Sequence, residues 1–365
     1  MDVLRSIGKL SVGYREELVG HLMLSPDNTA VAFQYAPKWL AEGFSVSPLE
    51  LPLKSDVFMA PRKPFYGNFG IFEDSMPDGY GRYLLNRMLK AQGIDDFTLD
   101  PLQRLSIVGK AGMGALTYMP VTKMGENVLF PELDDMQQMA LDVLSEKTLE
   151  GADVLYFNSG NSGGCRPKCL LRDADGEWLV KFRHTYDSQD IGIREYECMM
   201  LAKRCGVDVP DCKLLQDKYF ASRRFDKNAD GQRLHVATAA ALLSVSINPP
   251  MMDYKTLLHL TGYLTQSHSA VEQMFRRMVF NVLIENKDDH AKNFSFICDD
   301  GIWRLAPAYD LLPFPEGYHG QHATSVLHHG NPTDEDMLLV GESVRIGRSR
   351  GKQVIAEMRD IIRSS

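Results

Sequence analysis

The sequence lacks any apolar run approaching the roughly 20 residues that cross a bilayer, and its opening stretch, MDVLRSIGKLSVGYREELVG, lacks the apolar core of a secretory signal. A cytoplasmic location is expected. There is no CxxC pair, and the six cysteines, Cys165, Cys169, Cys198, Cys205, Cys212 and Cys298, have no histidines at zinc-finger spacing. That excludes the common structural zinc sites and reads as reduced thiols. Positive charge is also in deficit: a formal net charge of −8 argues against broad, phosphate-tracking contact with nucleic acid. Internal repeats, low-complexity tracts and long charge runs are missing as well.

What is present is a chain of 365 residues, 44% of them hydrophobic, enough for two or three packed subdomains. Residues 1–120 carry short apolar runs broken by Pro and Gly (VAFQYAPKWL, SVSPLELPL, FYGNFGIFEDSMPDGYGRYLLNRML), the texture of a strand-rich subdomain with one or two helices, the second capped near Asp78. Residues 121–150, with PELDDMQQM, read as an acidic connector. Residues 151–226 begin with a small-residue loop, NSGNSGGCRPK. A hairpin follows, CLLR and EWLVKF around DADG, then a helix, REYECMMLAKRCG, with Cys198, Leu201, Ala202 and Cys205 on one face and Gly206 at its end. A second hairpin, KLLQ and YFASRRF around DK, closes that segment. Residues 227–365 are helical in pattern, most clearly VEQMFRRMVFNVLIEN, where Met274 and Phe275, Met278 and Val279, and Val282 and Leu283 recur at helical spacing. The fold class expected is α+β in two lobes.

The sharpest chemical signal is NKDDHAKN, residues 286–293, followed by Tyr309-Asp310-Leu311-Leu312 after the hairpin-like FSFICDDGIWRLAP. Asp288 and Asn293 have the Asp-x-x-x-x-Asn spacing of a protein-kinase catalytic loop, in which the Asp accepts the proton of the attacking hydroxyl and the Asn binds magnesium; Asp310 adds a second metal carboxylate. Such chemistry needs these residue types because triphosphate charge is neutralised by hard cations, which take oxygen ligands. The plain alternative for DDHAKN is a polar loop capping a helix. Lys181, among apolar neighbours in WLVKF, is the candidate phosphate-binding lysine with Glu195 as its partner; the alternative is an ordinary edge-strand lysine. The backbone of Ser162, Gly163 and Gly164 suits close approach to phosphates, although the loop matches neither GxGxxG nor a Walker motif and a surface linker would look the same. GKAGMGA, residues 109–115, reads as a tight turn, and His290 as a residue that orients its loop by hydrogen bonding. Arg224 and Phe225 either border an adenine pocket or only pack.

Taken in order, YAPKWL, SPLELPL, FEDSMPDGYGR, GGCRPK, WLVKF, REYECMMLAKRCGVDVP, RRFD, NKDDHAKNFS and AYDLLPF resemble the HipA family of bacterial toxin serine/threonine protein kinases, over nearly the whole chain. The resemblance implies a protein-kinase-like fold with a small amino-terminal subdomain, ATP and Mg2+ as cofactors, and phosphorylation of a protein Ser or Thr. Carried across, Asp288 is the catalytic base, Asn293 and Asp310 the magnesium ligands, and Lys181 the phosphate-binding lysine partnered by Glu195. It also implies a helix-turn-helix antitoxin (HipB-like) as partner, with DNA reached only through that antitoxin. An aminoacyl-tRNA synthetase is the kind of protein substrate implied, and inhibited translation the outcome. The family's loop carries a serine that is autophosphorylated; the aligned position here is Asn161, with Ser159 and Ser162 beside it. Two rival readings are a small-molecule kinase of the antibiotic-phosphotransferase kind, against which the amino-terminal subdomain weighs, and an inert corepressor module, against which retention of Lys181, Asp288, Asn293 and Asp310 weighs.

Overall fold

Local sequence rules account for most elements of the first of two compact units, Met1–Ile193 with Lys213–Val236; the second is Arg194–Cys212 with Ala237–Ser365. The computed structural model describes residues 7–124, 131–148, 150–159, 164–228 and 230–365. The first unit opens on an antiparallel sheet of β1 (Leu10–Tyr14), β2 (Glu17–Leu24), β3 (Val31–Tyr35), β4 (Phe58–Met59) and β5 (Leu116–Met119), in the order β4-β3-β2-β1-β5. Alternation buries Leu10, Val12 and Tyr14 on one face. Arg15 and Glu16 join β1 to β2 at φ of 44° and 72°, a turn whose twist suits a two-residue hairpin. Helix α1 (Pro37–Glu42) follows β3, and α2 (Gly70–Glu73), α3 (Gly79–Ala91) and α4 (Pro101–Val108) lie between β4 and β5. A capping box between Asp100 and Gln103 starts α4, and Gly109 at φ 53° ends it, so GKAGMGA is the turn into β5.

Residues 121–150 are more than a connector. They contain α5 (Leu133–Leu144), whose Leu133, Met136, Ala140 and Val143 share one core with α3 and with α6 (Ala152–Ser159). Acidic residues mask this stripe in the sequence because they occupy the helix's outer face and first turn, where carboxylates favour the helix dipole. These helices cover a four-stranded sheet of β6 (Lys168–Asp173), β7 (Gly176–Lys181), β8 (Cys212–Leu215) and β9 (Tyr219–Arg223), ordered β6-β7-β9-β8, through Cys169, Trp178, Val180, Tyr219 and Ala221. Both expected hairpins are present. Helix α7 (Ile191–Arg204) ends as expected before Gly206, at φ 72°.

The division at 226/227 drawn from sequence is displaced. Residues 227–236 stay with the first unit because Leu234 donates to the Asp226 carbonyl, Arg15 to the carbonyl of Arg233, and Arg233 to that of Lys110. Residues 205–208 belong to the second because Arg276 donates to the Cys205 carbonyl, Gln273 to that of Gly206, and Ala308 to that of Asp208.

After β10 (His235–Thr238), the second unit builds α8 (Ala239–Leu243), β11 (Met252–Asp253), α9 (Tyr254–Thr265), α10 (His268–Leu283), the hairpin β12 (Ser295–Asp299) and β13 (Ile302–Leu305), β14 (Thr324–Ser325), α11 (Asp334–Ser343) and α12 (Arg348–Arg363). Helix α10 is buried on most of its circumference, by Val271, Met274, Phe275, Arg277, Met278, Val279, Phe280 and Asn281. Gly341 of α11 and Gly351 of α12 let those helices approach the Phe275 ring, where an added Cβ would lie 2.9 and 3.6 Å from it. No described helix is long and apolar enough to cross a membrane, and the six cysteines are free thiols.

Candidate active site

Helix α10 delivers the chain to two adjacent aspartates in opposite surroundings. Asp288 is exposed, whereas Asp289 is 0% exposed. A buried carboxylate is tolerated only when its oxygens are bonded, and those of Asp289 are: the Tyr254 hydroxyl donates at 2.8 Å, His322 Nδ1 at 3.0 Å and the Thr324 amide at 3.1 Å. The Thr324 hydroxyl takes the backbone carbonyl of the same residue. Behind Tyr254 runs a relay of donors, from Asn286 Nδ2 to Asn281 Oδ1 (3.1 Å) and from Asn281 Nδ2 to the Tyr254 oxygen (2.9 Å). All of these side chains lie in the second unit, and Tyr254, Asn281, Asn286, His322 and Thr324 are buried.

That scaffold fixes the loop carrying Asp288 and Asn293. Asn293 Nδ2 donates to the Asp288 carbonyl at 2.8 Å, and the amides of His290 and Asn293 close the turn on the carbonyls of Asp288 and His290. Asp310 comes to the same region: Asn286 Nδ2 also reaches its carbonyl at 3.3 Å, and the neighbouring Tyr309 hydroxyl donates to the Lys292 carbonyl at 2.8 Å. Asp310 adopts φ 58°, a left-handed conformation that Asp tolerates better than most residues. The structure therefore brings Asp288, Asn293 and Asp310 together through their backbones. The buried side-chain bonds at this loop belong to Asp289, while His290 Nδ1 is buried with no hydrogen-bond partner among the described residues.

The first unit holds the other candidates. Lys181 ends β7, half-buried, with Nζ 5.8 Å from the centre of the Phe220 ring. Directly across the ladder stands Lys168, 4% exposed, a second lysine that the sequence reading missed. Gly164 is tied to the amino-terminal subdomain: its amide donates to Asp78 Oδ1 at 2.7 Å and its carbonyl accepts the Tyr80 amide at 3.1 Å. Asp78 sits at the N-cap of α3 as expected, but its side chain makes no capping bond. Gly79 is required there, since at φ 42° an added Cβ would lie 2.5 Å from the Gly164 carbonyl oxygen. Ser162, Gly163 and Asn161 lie outside the described residues. Ser159 ends α6 at 2% exposure, with its hydroxyl donating to the Tyr156 carbonyl.

Arg224 is committed within its own unit. Its Nε and Nη2 grip Asp226 at 2.8 and 2.6 Å, and Nη1 lies 3.5 Å from Glu177; Asp226 also accepts the Gly114 amide. These bonds fix the Arg224 side chain, and Phe225 beside it is half-buried. Glu195, on α7 in the second unit, is 3% exposed and adds to the burial that pushes the Cys198 thiol up to about 12.

The sequence models of two linked domains match this chain: the HipA N-terminal domain over residues 10–119 and the HipA-like C-terminal domain over residues 160–365. The chain belongs to the HipA family. It is 31% identical over 163 residues to the inferred kinase Y4dM of Sinorhizobium fredii, an alignment spanning 39% of this chain and 39% of that relative. It is 22% identical over 334 residues to the serine/threonine-protein kinase toxin HipA of Shewanella oneidensis, covering 81% of this chain and 72% of that one. A solved complex of Shewanella oneidensis HipA with HipB and its operator DNA superposes with a TM-score of 0.71 at 18% identity, over 97% of this chain and 89% of that chain. That likeness establishes the HipA fold, an α+β architecture.

Proposed function

We propose that this HipA-family protein is an ATP- and magnesium-dependent serine/threonine protein kinase, the toxin half of a toxin–antitoxin pair. The observation that carries the reading is the pair Asp288 and Asp289: a helix-capping loop has no use for a fully buried, fully bonded polar scaffold, whereas a catalytic base needs one to hold its loop rigid. Asp288 accepts the proton of the attacking Ser or Thr hydroxyl. As that proton leaves, the new oxygen–phosphorus bond forms and the bond from the γ-phosphorus to the bridging oxygen breaks, releasing ADP.

The donor set fits magnesium. Asn293 uses Nδ2 on the Asp288 carbonyl, which leaves Oδ1 for a cation, and Asp310 contributes a carboxylate. Magnesium commonly takes one or two protein oxygens and completes its shell with phosphate and water. Bound there, magnesium neutralises charge on the triphosphate. Lys181 and Lys168, opposite each other on β7 and β6, are the proposed phosphate-binding cations of the first unit, and Glu195 of α7 is the carboxylate proposed for the same nucleotide chemistry.

The Shewanella complex supports a helix-turn-helix antitoxin as partner, with DNA contacted through it, and the kinase relatives support a protein substrate, of which an aminoacyl-tRNA synthetase is the proposed kind. Growth inhibition through translation, in the cytoplasm, is the proposed outcome. Intact-mass and peptide mass spectrometry after incubation with ATP, magnesium and a synthetase panel tests this. Phosphate that appears on protein with the wild type and disappears with Asp288→Asn supports the kinase; its absence from every protein, with ATP still bound, overturns the protein-kinase reading.

A further inference from the structure

Asn293 and Asp310 come from separate segments of the second unit, and a metal ion shared between them needs their backbones held at a fixed separation. Magnesium tolerates little departure from octahedral geometry at roughly 2.0–2.1 Å, so the two segments have to be tied to each other as well as to the fold. Tyr309 makes such a tie. It is the residue before Asp310, and its hydroxyl donates to the carbonyl oxygen of Lys292, the residue before Asn293, at 2.8 Å. A phenol has one hydrogen; with that hydrogen spent on a carbonyl, the Ser295 hydroxyl is the donor to the Tyr309 oxygen. Ser295, 2% exposed, opens β12 just beyond Asn293. One hydroxyl therefore grips the chain on both sides of Asn293.

Asp310 has its own need of a tie. Its φ of 58° is a conformation that a non-glycine residue keeps only where its surroundings over-determine it. Asn286 Nδ2 holds its carbonyl at 3.3 Å, and Tyr309 anchors the residue before it. With both flanks fixed, the backbone from which the carboxylate projects is fixed too. The bonds made by the Asn293 amide and by Asn293 Nδ2 stay within residues 288–293, so they shape that loop without locating Asp310.

We propose that Tyr309 is a positioning residue for the metal: its hydroxyl sets Asn293 against Asp310 so that their side-chain oxygens serve one magnesium ion on the nucleotide phosphates. The inference rests on the assignment of Asn293 and Asp310 as magnesium ligands. Groups that bond a ligating side chain without touching the metal account for about 10–100-fold in metal affinity. Tyr309 acts on the backbone beside the ligands, through one neutral bond to Lys292 and one from Ser295, so an effect of about 3–10-fold is expected.

Calorimetric ATP affinity of the full chain, measured with excess chelator and again with saturating magnesium, tests it. Tyr309→Phe removes the hydroxyl and keeps the ring. Tyr118→Phe is the matched control, deleting a buried tyrosine hydroxyl that donates to Ser75 Oγ at 2.6 Å in the first unit. The gain in ATP affinity conferred by magnesium should fall about 3–10-fold in Tyr309→Phe and keep its wild-type value in Tyr118→Phe, with metal-free ATP affinity unchanged in both. Ser295→Ala removes the other half of the grip and should lose a smaller part of the gain. A full magnesium gain in Tyr309→Phe, or in Ser295→Ala where Tyr309→Phe does not fold, overturns the proposal. So does an equal loss in Tyr118→Phe, which marks general loosening. A wild type that binds ATP with no response to magnesium overturns the ligand assignment itself, and the positioning role with it.

Discussion

The Asp288–Asn293 segment of the second unit and the strand pair of the first handle buried polarity in different ways. Around Asp289 donors from separate parts of the second unit converge on one carboxylate: Tyr254 from α9, itself bonded by Asn281 of α10, and His322 and Thr324 from the chain around β14. On β6 and β7 two lysines face each other across one ladder, and order is imposed from outside by Asp78 gripping the Gly164 amide. A self-contained network resists change as a unit, whereas the segment at Gly164 is held from outside, by Asp78 on its amide and by the Tyr80 amide on its carbonyl. The first arrangement suits a base that must stay in place, the second a loop that must receive a ligand.

The largest expected effect comes from breaking the network. Asp289→Ala leaves Tyr254, His322 and the Thr324 amide without their acceptor and should lower stability by about 3–5 kcal/mol, read in urea melts. A change below about 1 kcal/mol would place the rigidity elsewhere. Next comes a buried polar group of the first unit, His235, with Nε2–H donating to the Val46 carbonyl at 2.7 Å and its pKa lowered from 6.5 to about 4 by burial. A histidine whose folded pKa lies below its unfolded value loses stability as pH falls through the unfolded pKa. The loss should grow from pH 6.5 and level off near pH 4, reaching about 3 kcal/mol, and His235→Gln should remove that slope. An unchanged acid profile in the variant would dismiss His235 as its source. Smallest is Asp78→Ala: removing one charge-assisted acceptor from the loop should cost about 1.5–3 kcal/mol and weaken ATP binding, measured by calorimetry. Equal ATP affinity in the variant would separate the Gly164 anchor from the nucleotide.

Much of the first arrangement's skeleton was legible in the sequence and little of the second unit's scaffold was. Both hairpins announce themselves through DADG and DK, and α10 through its apolar recurrence, because turn chemistry and periodicity are local. The acidic outer face of α5 hid a buried stripe, and sequence distance hid Tyr254 and His322, which meet Asp289 only after folding. Asn281 left a trace, as a polar residue on the most apolar face of α10. Lys168 stood in view as the last residue of GGCRPK but without a role; only the ladder register sets it opposite Lys181.

The central claim is that Asp288 does chemistry on a scaffold it does not support. Single-turnover transfer from radiolabelled ATP to protein, measured for the wild type and Asp288→Asn beside their urea midpoints, tests it most directly. Transfer should fall by about 10²–10⁴-fold while the midpoint stays put, Asp288 being exposed. Undiminished transfer, or a loss of transfer matched by unfolding, would contradict the account.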